Sequence, residues 1–273
     1  SRRLRSSPVN EEDMTTQHPT LEARGLVVAY DGKVVVDGVD LALPEGSFTV
    51  ILGPNASGKS TVLRALARVL KPESGDVLFD GRALSEYGSK ELARRMGLLP
   101  QDAIAPEGMR VADLVSRGRY PHHSALQRWT SADDAATREA LAATNTADLA
   151  ERYVDQLSGG QRQRVWVALL LAQQTPVMLL DEPTTFLDIA HQYELLDLLR
   201  ALNQQGKTVI AVLHDLNQAA RYADNLVLMK EGRVVASGNP SELITAERVG
   251  EVFGIDAIVT PDPVTRTPMV IRR

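Results

Sequence analysis

The sequence predicts an α/β chain built on a mainly parallel sheet with crossover helices. Three observations carry this. From Leu21 onward short β-type runs alternate with helical ones, a glycine-rich turn joins the run Thr49–Leu52 to a following helix, and an Ala-rich stretch at 102–156 without a convincing strand interrupts the alternation as a helical insertion. At 273 residues, 44% hydrophobic and 24% charged, the chain has the ordinary globular balance and enough material for one large domain or two small ones.

Residues 1–20 open basic at Ser1-Arg2-Arg3-Leu4-Arg5, pass Ser6-Ser7-Pro8 and turn acidic at Glu11-Glu12-Asp13. No apolar stretch follows the basic residues, so this reads as a disordered tail and not a signal peptide, with Met14 as the expected native start. Leu26–Tyr30, Val39–Leu43 and Ser47–Leu52 read as strands. Lys59–Leu70 reads as a helix with Leu63, Leu66, Ala67 and Leu70 on one face. Val77-Leu78-Phe79 before Asp80-Gly81 is a strand and turn, and residues 89–100 give a short helix and a strand. After the insertion come a helix at 158–173, a strand at 177–181, a helix at 190–204 whose Leu195, Leu196, Leu198, Leu199 and Leu202 stripe is core packing, a strand at 207–213, a helix at 215–222 and a hairpin around Glu231-Gly232. The last thirty residues hold a small helix and two β-like runs.

Composition narrows the function classes. Thirty Lys and Arg against 35 Asp and Glu give a net charge of −5, which is not the footprint of a nucleic-acid binder. With no cysteine there is no disulfide framework, Cys-ligated zinc or thiol chemistry. The longest uncharged stretch, Val165–Leu180, is sixteen residues and is interrupted by Gln173-Gln174-Thr175-Pro176, too short for a membrane span of about 20 apolar residues.

Gly53-Pro54-Asn55-Ala56-Ser57-Gly58-Lys59-Ser60-Thr61 has two glycines around four residues and then Lys-Ser, directly after a strand and opening a helix. Backbone N–H groups and a helix N-terminus arranged this way bind phosphate, with Lys59 neutralising the β- and γ-phosphates of a nucleotide and the Ser60 hydroxyl a ligand for Mg²⁺. Alanine at position 56 takes positive φ at a cost, so ordinary backbone angles are expected there. Val177–Leu180 is an apolar strand ending in Asp181-Glu182-Pro183, and charges at a buried strand end are costly unless they face a cation or a water-filled site. Asp181 is placed to hold Mg²⁺, and Glu182, pointing the other way, to meet an attacking water. Leu157-Ser158-Gly159-Gly160-Gln161, taken alone, reads equally well as a serine-capped helix start after a loop.

Together, Leu157–Gln161, the phosphate loop about 100 residues before it and Asp181-Glu182 just after it resemble the ABC ATPases in order and spacing. The resemblance implies a P-loop NTPase cassette: a RecA-like core and antiparallel β-subdomain at about 21–101 and 157–245, a helical subdomain at about 102–156 and a small C-terminal extension at about 246–273, one ATPase domain over 21–271. It also implies roles. Tyr30, otherwise a strand-end core tyrosine, is similar to the aromatic on which adenine stacks; Gln101 to the glutamine that touches Mg²⁺ and the attacking water; His214 to the histidine at the γ-phosphate. Asp188, six residues after Glu182, resembles an aspartate that contacts the opposite subunit. Ser158, Gly159, Gly160 and Gln161 of one copy would close on the ATP of the other, so the single set of motifs implies a homodimer or a second cassette.

Arg117–His122, Trp129, Asp133-Asp134, the run Asp181–His191 with Phe186, His214–Tyr222, Asp262-Pro263-Val264 and Thr267-Pro268 resemble the ferric-siderophore importer ATPases, of the ferric enterobactin type. That implies ATP hydrolysis at the cytoplasmic face of the membrane on integral permease subunits, with a substrate-binding protein as an indirect partner and iron uptake as the outcome. Cobalamin and haem importers use related cassettes and are the near alternatives; a ribosome- or DNA-directed ABC ATPase is the alternative of another class, against which stand the lack of tandem cassettes and of long coiled coils.

Overall fold

Three of the apolar runs, Phe48–Leu52, Val177–Asp181 and Thr208–Val212, are buried at every residue, as expected of strands covered on both faces of a parallel sheet. The computed structural model describes residues 19–123 and 128–273. Its strands are β1 (Pro19–Tyr30), β2 (Lys33–Pro44), β3 (Phe48–Leu52), β4 (Ser74–Phe79), β5 (Arg82–Ala83), β6 (Met96–Leu99), β7 (Val177–Asp181), β8 (Thr208–Val212), β9 (Asn225–Lys230), β10 (Arg233–Gly238), β11 (Ala257–Pro261) and β12 (Pro268–Arg272). The α-helices are α1 (Lys59–Leu66), α2 (Ser89–Arg95), α3 (Val111–Ser116), α4 (Ser131–Ala143), α5 (Gly159–Ala172), α6 (Ile189–Gln204), α7 (Leu216–Tyr222), α8 (Pro240–Leu243) and α9 (Ala246–Phe253).

The six-stranded sheet runs β10-β9-β3-β8-β7-β6, parallel from β9 to β6 and antiparallel at the β10 edge. A four-stranded antiparallel sheet, β2-β1-β4-β5, packs with it around α1, where Leu21, Leu26, Val36, Leu43, Ile51, Leu63, Leu66 and Val212 share one core. A second core lies under α6 and α7 on the opposite face, and β11-β12 forms a separate hairpin. Since β3, β7 and β8 are parallel neighbours, their C-terminal ends lie together, and the ligand-bearing crevice of such a sheet is at that end.

Most predicted elements are present, with shifted ends. The first two strands are twelve residues each, and β1 begins at Pro19, inside the stretch read as tail; residues 1–18, Met14 among them, lie outside the described residues. The first helix stops at Leu66 and not Leu70, because Arg68 turns to φ +59 and the Leu70 N–H bonds back to the Arg64 carbonyl. The stretch at 102–156 contains helices α3 and α4 with short 3₁₀ turns, and among its described residues the β pairing is one isolated bridge, Arg110 to Tyr153. Its core is completed from outside that stretch: Val165, Ala168 and Ala172 of α5 pack on Val111, Leu114, Val115 and Leu141. A buried ion pair, Arg119 Nε to Asp133 Oδ1 at 3.0 Å, ties the same region together. Among the described residues no helix is long and apolar enough to cross a membrane.

Candidate active site

The loop after β3 is shaped by contacts only particular residues tolerate. A Cβ on Gly53 would lie 2.2 Å from the Met229 carbonyl oxygen, and Gly58 takes φ +92 beside the Val35 carbonyl. Ala56 has φ +61, contrary to the ordinary angles expected. The tight turn imposes left-handed backbone there whatever the side chain, at a cost of about 1–2 kcal/mol for alanine. Lys59 opens α1 and folds its Nζ across the loop, donating to the carbonyls of Gly53 at 2.9 Å and Pro54 at 2.8 Å. Burial lowers its pKa, and the carboxylates of Glu182 and Asp181 push back.

At the end of β7, Asp181 is fully buried. Ser60 Oγ donates to its Oδ1 at 2.6 Å, while Oδ2 has no hydrogen-bond partner and sees Arg64 Nε at 3.5 Å. Burial raises the Asp181 pKa above 3.8, against the pull of Ser60 and Arg64. Hydroxyl and carboxylate oxygens are the hard donors that Mg²⁺ selects, and an unsatisfied buried carboxylate oxygen fits such an ion. Among the described residues no group of three or more His, Cys, Asp or Glu side chains is arranged to hold a metal ion.

Glu182 follows with φ +53, which turns its side chain away from that of Asp181 toward the crevice. Gln101, two residues beyond β6, donates through Nε2 to Glu182 Oε2 at 2.9 Å, and His214, just beyond β8, places Nε2 2.8 Å from the same oxygen. Three strand ends therefore deliver three polar side chains to one point. The residues Asn55–Thr61, Gln101, Glu182 and His214 line a single cleft of about 910 Å³. Such an arrangement can hold a polyphosphate on backbone N–H groups and Lys59 and offer a carboxylate to a water beside it.

The sequence model of the family described as ABC transporter matches residues 36–185. The chain belongs to the ABC transporter ATPase family. The cassette is 48% identical over 259 residues to the ferric enterobactin transport ATP-binding protein FepC of Escherichia coli (strain K12), covering 94% of this chain and 96% of that one. It is 49% identical over 252 residues to the achromobactin transport ATP-binding protein CbrD of Dickeya dadantii (strain 3937), covering 92% and 94%. Among solved structures it is similar to one described as a metal-chelate type ABC transporter in an inward-facing conformation, with a TM-score of 0.79, 27% identity and coverage of 94% and 98%. It is also similar to a dimeric, post-hydrolysis ATP-binding cassette bound to ADP and phosphate, with a TM-score of 0.72, 28% identity and coverage of 80% and 98%.

The remaining predicted residues stand apart from the cassette's cleft. Ser158 caps α5: its Oγ accepts from the Gln161 N–H at 3.2 Å and Gln161 Oε1 accepts from the Ser158 N–H at 3.1 Å. Gly159 and Gly160 form the first turn, against Phe186 and Leu187. Asp188 caps α6, accepting from the His191 backbone N–H at 3.0 Å, and that bond holds its carboxyl below the usual range. Tyr30 ends β1, exposed and outside the cleft lining; its β2 partner Lys33 is in it.

Sequence reasoning missed one wall of the cleft, formed by Lys33, Val34 and Val35 of β2 and by Glu231 and Gly232. The turn Glu231-Gly232 was legible as a hairpin, but its contact with the phosphate loop, Gly232 N–H to the Ser57 carbonyl at 3.1 Å, joins residues too far apart in the chain for any local pattern.

Proposed function

We propose that the cassette binds and hydrolyses ATP with Mg²⁺ and so powers a membrane importer of ferric siderophores. The observation that carries the hydrolytic reading is the convergence of Gln101 and His214 on Glu182 Oε2 beside the Lys59 loop. Lys59 and the loop N–H groups hold the β- and γ-phosphates, and Ser60, Asp181 and Gln101 are the residues that would hold Mg²⁺. When bound, that ion offsets charge on the phosphate oxygens. Glu182 accepts the proton of the attacking water, Gln101 orients that water, and His214 donates toward the γ-phosphate. Tyr30 supplies a face for adenine.

Residues Ser158–Gln161 present a capped helix N-terminus, a surface suited to phosphate, and in this reading they close on the ATP of a second copy, with Asp188 in the contact. Hydrolysis is then a property of the dimer, docked on permease subunits at the cytoplasmic face, with a binding protein delivering the chelate from the other side. Identities of 48–49% to proteins named for ferric enterobactin and achromobactin transport support the siderophore assignment. The test is ATP hydrolysis by the cassette reconstituted with its co-purifying permease and binding protein. Ferric siderophore on the binding protein is expected to stimulate turnover; stimulation by cobalamin or haem alone would overturn the substrate assignment.

A further inference from the structure

We infer that Gln192 and Gln218 act as a pair of positioning residues for hydrolysis, tying the segment Leu187-Asp188 to the loop that carries His214. The inference rests on the hydrolytic reading above. Gln192, in the first turn of α6, donates through Nε2 to the Leu187 carbonyl at 3.1 Å. A carbonyl takes only a donor, so this bond fixes the amide's orientation and leaves its Oε1 to accept. Gln218 Nε2 fills that position at 2.8 Å. The Gln218 backbone N–H in turn donates to Asp215 Oδ1 at 2.8 Å, and Asp215 is the residue after His214. Gln218 and Leu187 are both buried, so water is a poor substitute for either amide bond, and leaving one unmade costs free energy.

The segment needs such a hold. Between Glu182 and Asp188, two non-glycine residues sit at positive φ, Glu182 at +53 and Phe186 at +67, and backbone of that kind persists only where its surroundings over-determine it. Gln163 Nε2 fixes the near half by donating to the Pro183 carbonyl at 3.0 Å, and Gln192 fixes the far half at Leu187. The loop is thus joined to the His214 side twice, directly through Glu182 Oε2 and again through the two amides. With both links made, Glu182 and His214 hold one spacing, and the cost of misplacing such groups falls on the chemical step.

The experiment compares the full-length cassette with Q192M, Q218M and the double variant Q192M/Q218M, each keeping side-chain length while removing the amide. Each single change is expected to lower kcat roughly three- to thirtyfold. KM for ATP should stay within about twofold, since neither residue touches the Lys59 loop. The double variant should be no slower than the slower single, as for two members of one unit. Multiplicative losses in the double variant, or a KM that rises with falling kcat, would overturn the inference. Should Q218M fail to fold, Q192M at a half-buried position carries the test, and wild-type kcat in it overturns the pair. Lys59→Ala is run alongside: hydrolysis persisting in that variant sinks the hydrolytic reading itself, whereas its loss with wild-type kcat in the Gln variants sinks only the positioning role.

Discussion

His214 Nε2 lies 2.8 Å from Glu182 Oε2, and Gln101 Nε2 donates to that same oxygen at 2.9 Å. The Gln101 amide thus aims one oxygen of the carboxylate, and the imidazole approaches that same oxygen from a second strand end. The arrangement depends on Glu182 holding φ +53, a conformation a glutamate does not choose unaided.

Replacing Glu182 by glutamine preserves the side-chain size but removes the carboxylate proposed to accept the proton. Hydrolysis is expected to fall by about 100-fold or more. ATP binding should persist, because the Lys59 loop is untouched, and ATP should trap a closed dimer visible by size-exclusion chromatography. Wild-type turnover in Glu182→Gln would remove Glu182 from the catalytic role.

Much of this site was legible beforehand because its residues are consecutive or sit at strand ends, where a glycine-rich turn or an acidic pair breaks an apolar run. Asp181 and Ser60 were both identified from local pattern, although 121 positions separate them. What could not be read was conformation imposed from a distance. Ala56 was expected at ordinary angles and lies at φ +61, because packing against β2 and the turn at Gly232 sets the loop's path. Likewise the α3/α4 core is finished by α5, which by sequence begins within the Leu157–Gln161 motif.

Ala56→Gly tests that correction. Relief of left-handed strain, about 1–2 kcal/mol, outweighs the added freedom of glycine in the unfolded chain, about 0.5–1 kcal/mol. The variant should gain about 0.5–1 kcal/mol, or roughly 1–4 °C in Tm, with ATP affinity unchanged. A lower Tm would contradict the backbone geometry.

Asp181→Asn should separate stability from activity. Burial raises the Asp181 pKa above 3.8. A carboxyl shifted this way favours folding while protonated, so its contribution is complete below 3.8 and is lost as pH rises through the raised folded-state value. Free of nucleotide and Mg²⁺, the variant is expected to melt higher than wild type near pH 8 and to match it near about pH 4. Mg²⁺-dependent hydrolysis should be lost throughout. Equal melting curves at both ends would contradict the burial argument.

The pair Arg119–Asp133 makes the opposite case. Burial pushes the Asp133 carboxyl up, yet hydrogen bonds from Thr130 and Arg119 outweigh it and hold the pKa well below the usual carboxylate range. Its stabilisation is therefore present above 3.8 and lost as pH falls through the depressed value. Arg119→Ala removes the guanidinium from the buried carboxylate, leaving it only Thr130 and the nearby His123 Nε2 at 3.2 Å, and also frees the Ala172 carbonyl and Gln174 Oε1 that Arg119 Nη1 serves. A loss of about 3–5 kcal/mol is expected at neutral pH, measured by denaturant unfolding. A loss under about 1 kcal/mol would mean that water replaces the guanidinium.

The proposed closure of one copy on another is tested by mixing two crippled chains. Lys59→Ala is expected to disable the phosphate loop but leave Ser158 and its helix intact, since among the described residues the Lys59 Nζ bonds stay within its own loop. Ser158→Arg blocks the α5 N-terminus and leaves the phosphate loop intact, since that serine caps α5 and lies outside the cleft lining. Neither homodimer can assemble an intact composite site. A heterodimer has one, made from the loop of the Ser158→Arg chain and the helix of the Lys59→Ala chain. Equimolar mixing is expected to restore stable ATP-dependent dimerisation with one nucleotide per dimer, each chain alone giving none. If the Ser158→Arg chain forms ATP-dependent dimers unaided, the α5 N-terminus is not part of the ATP site and the two-copy arrangement falls.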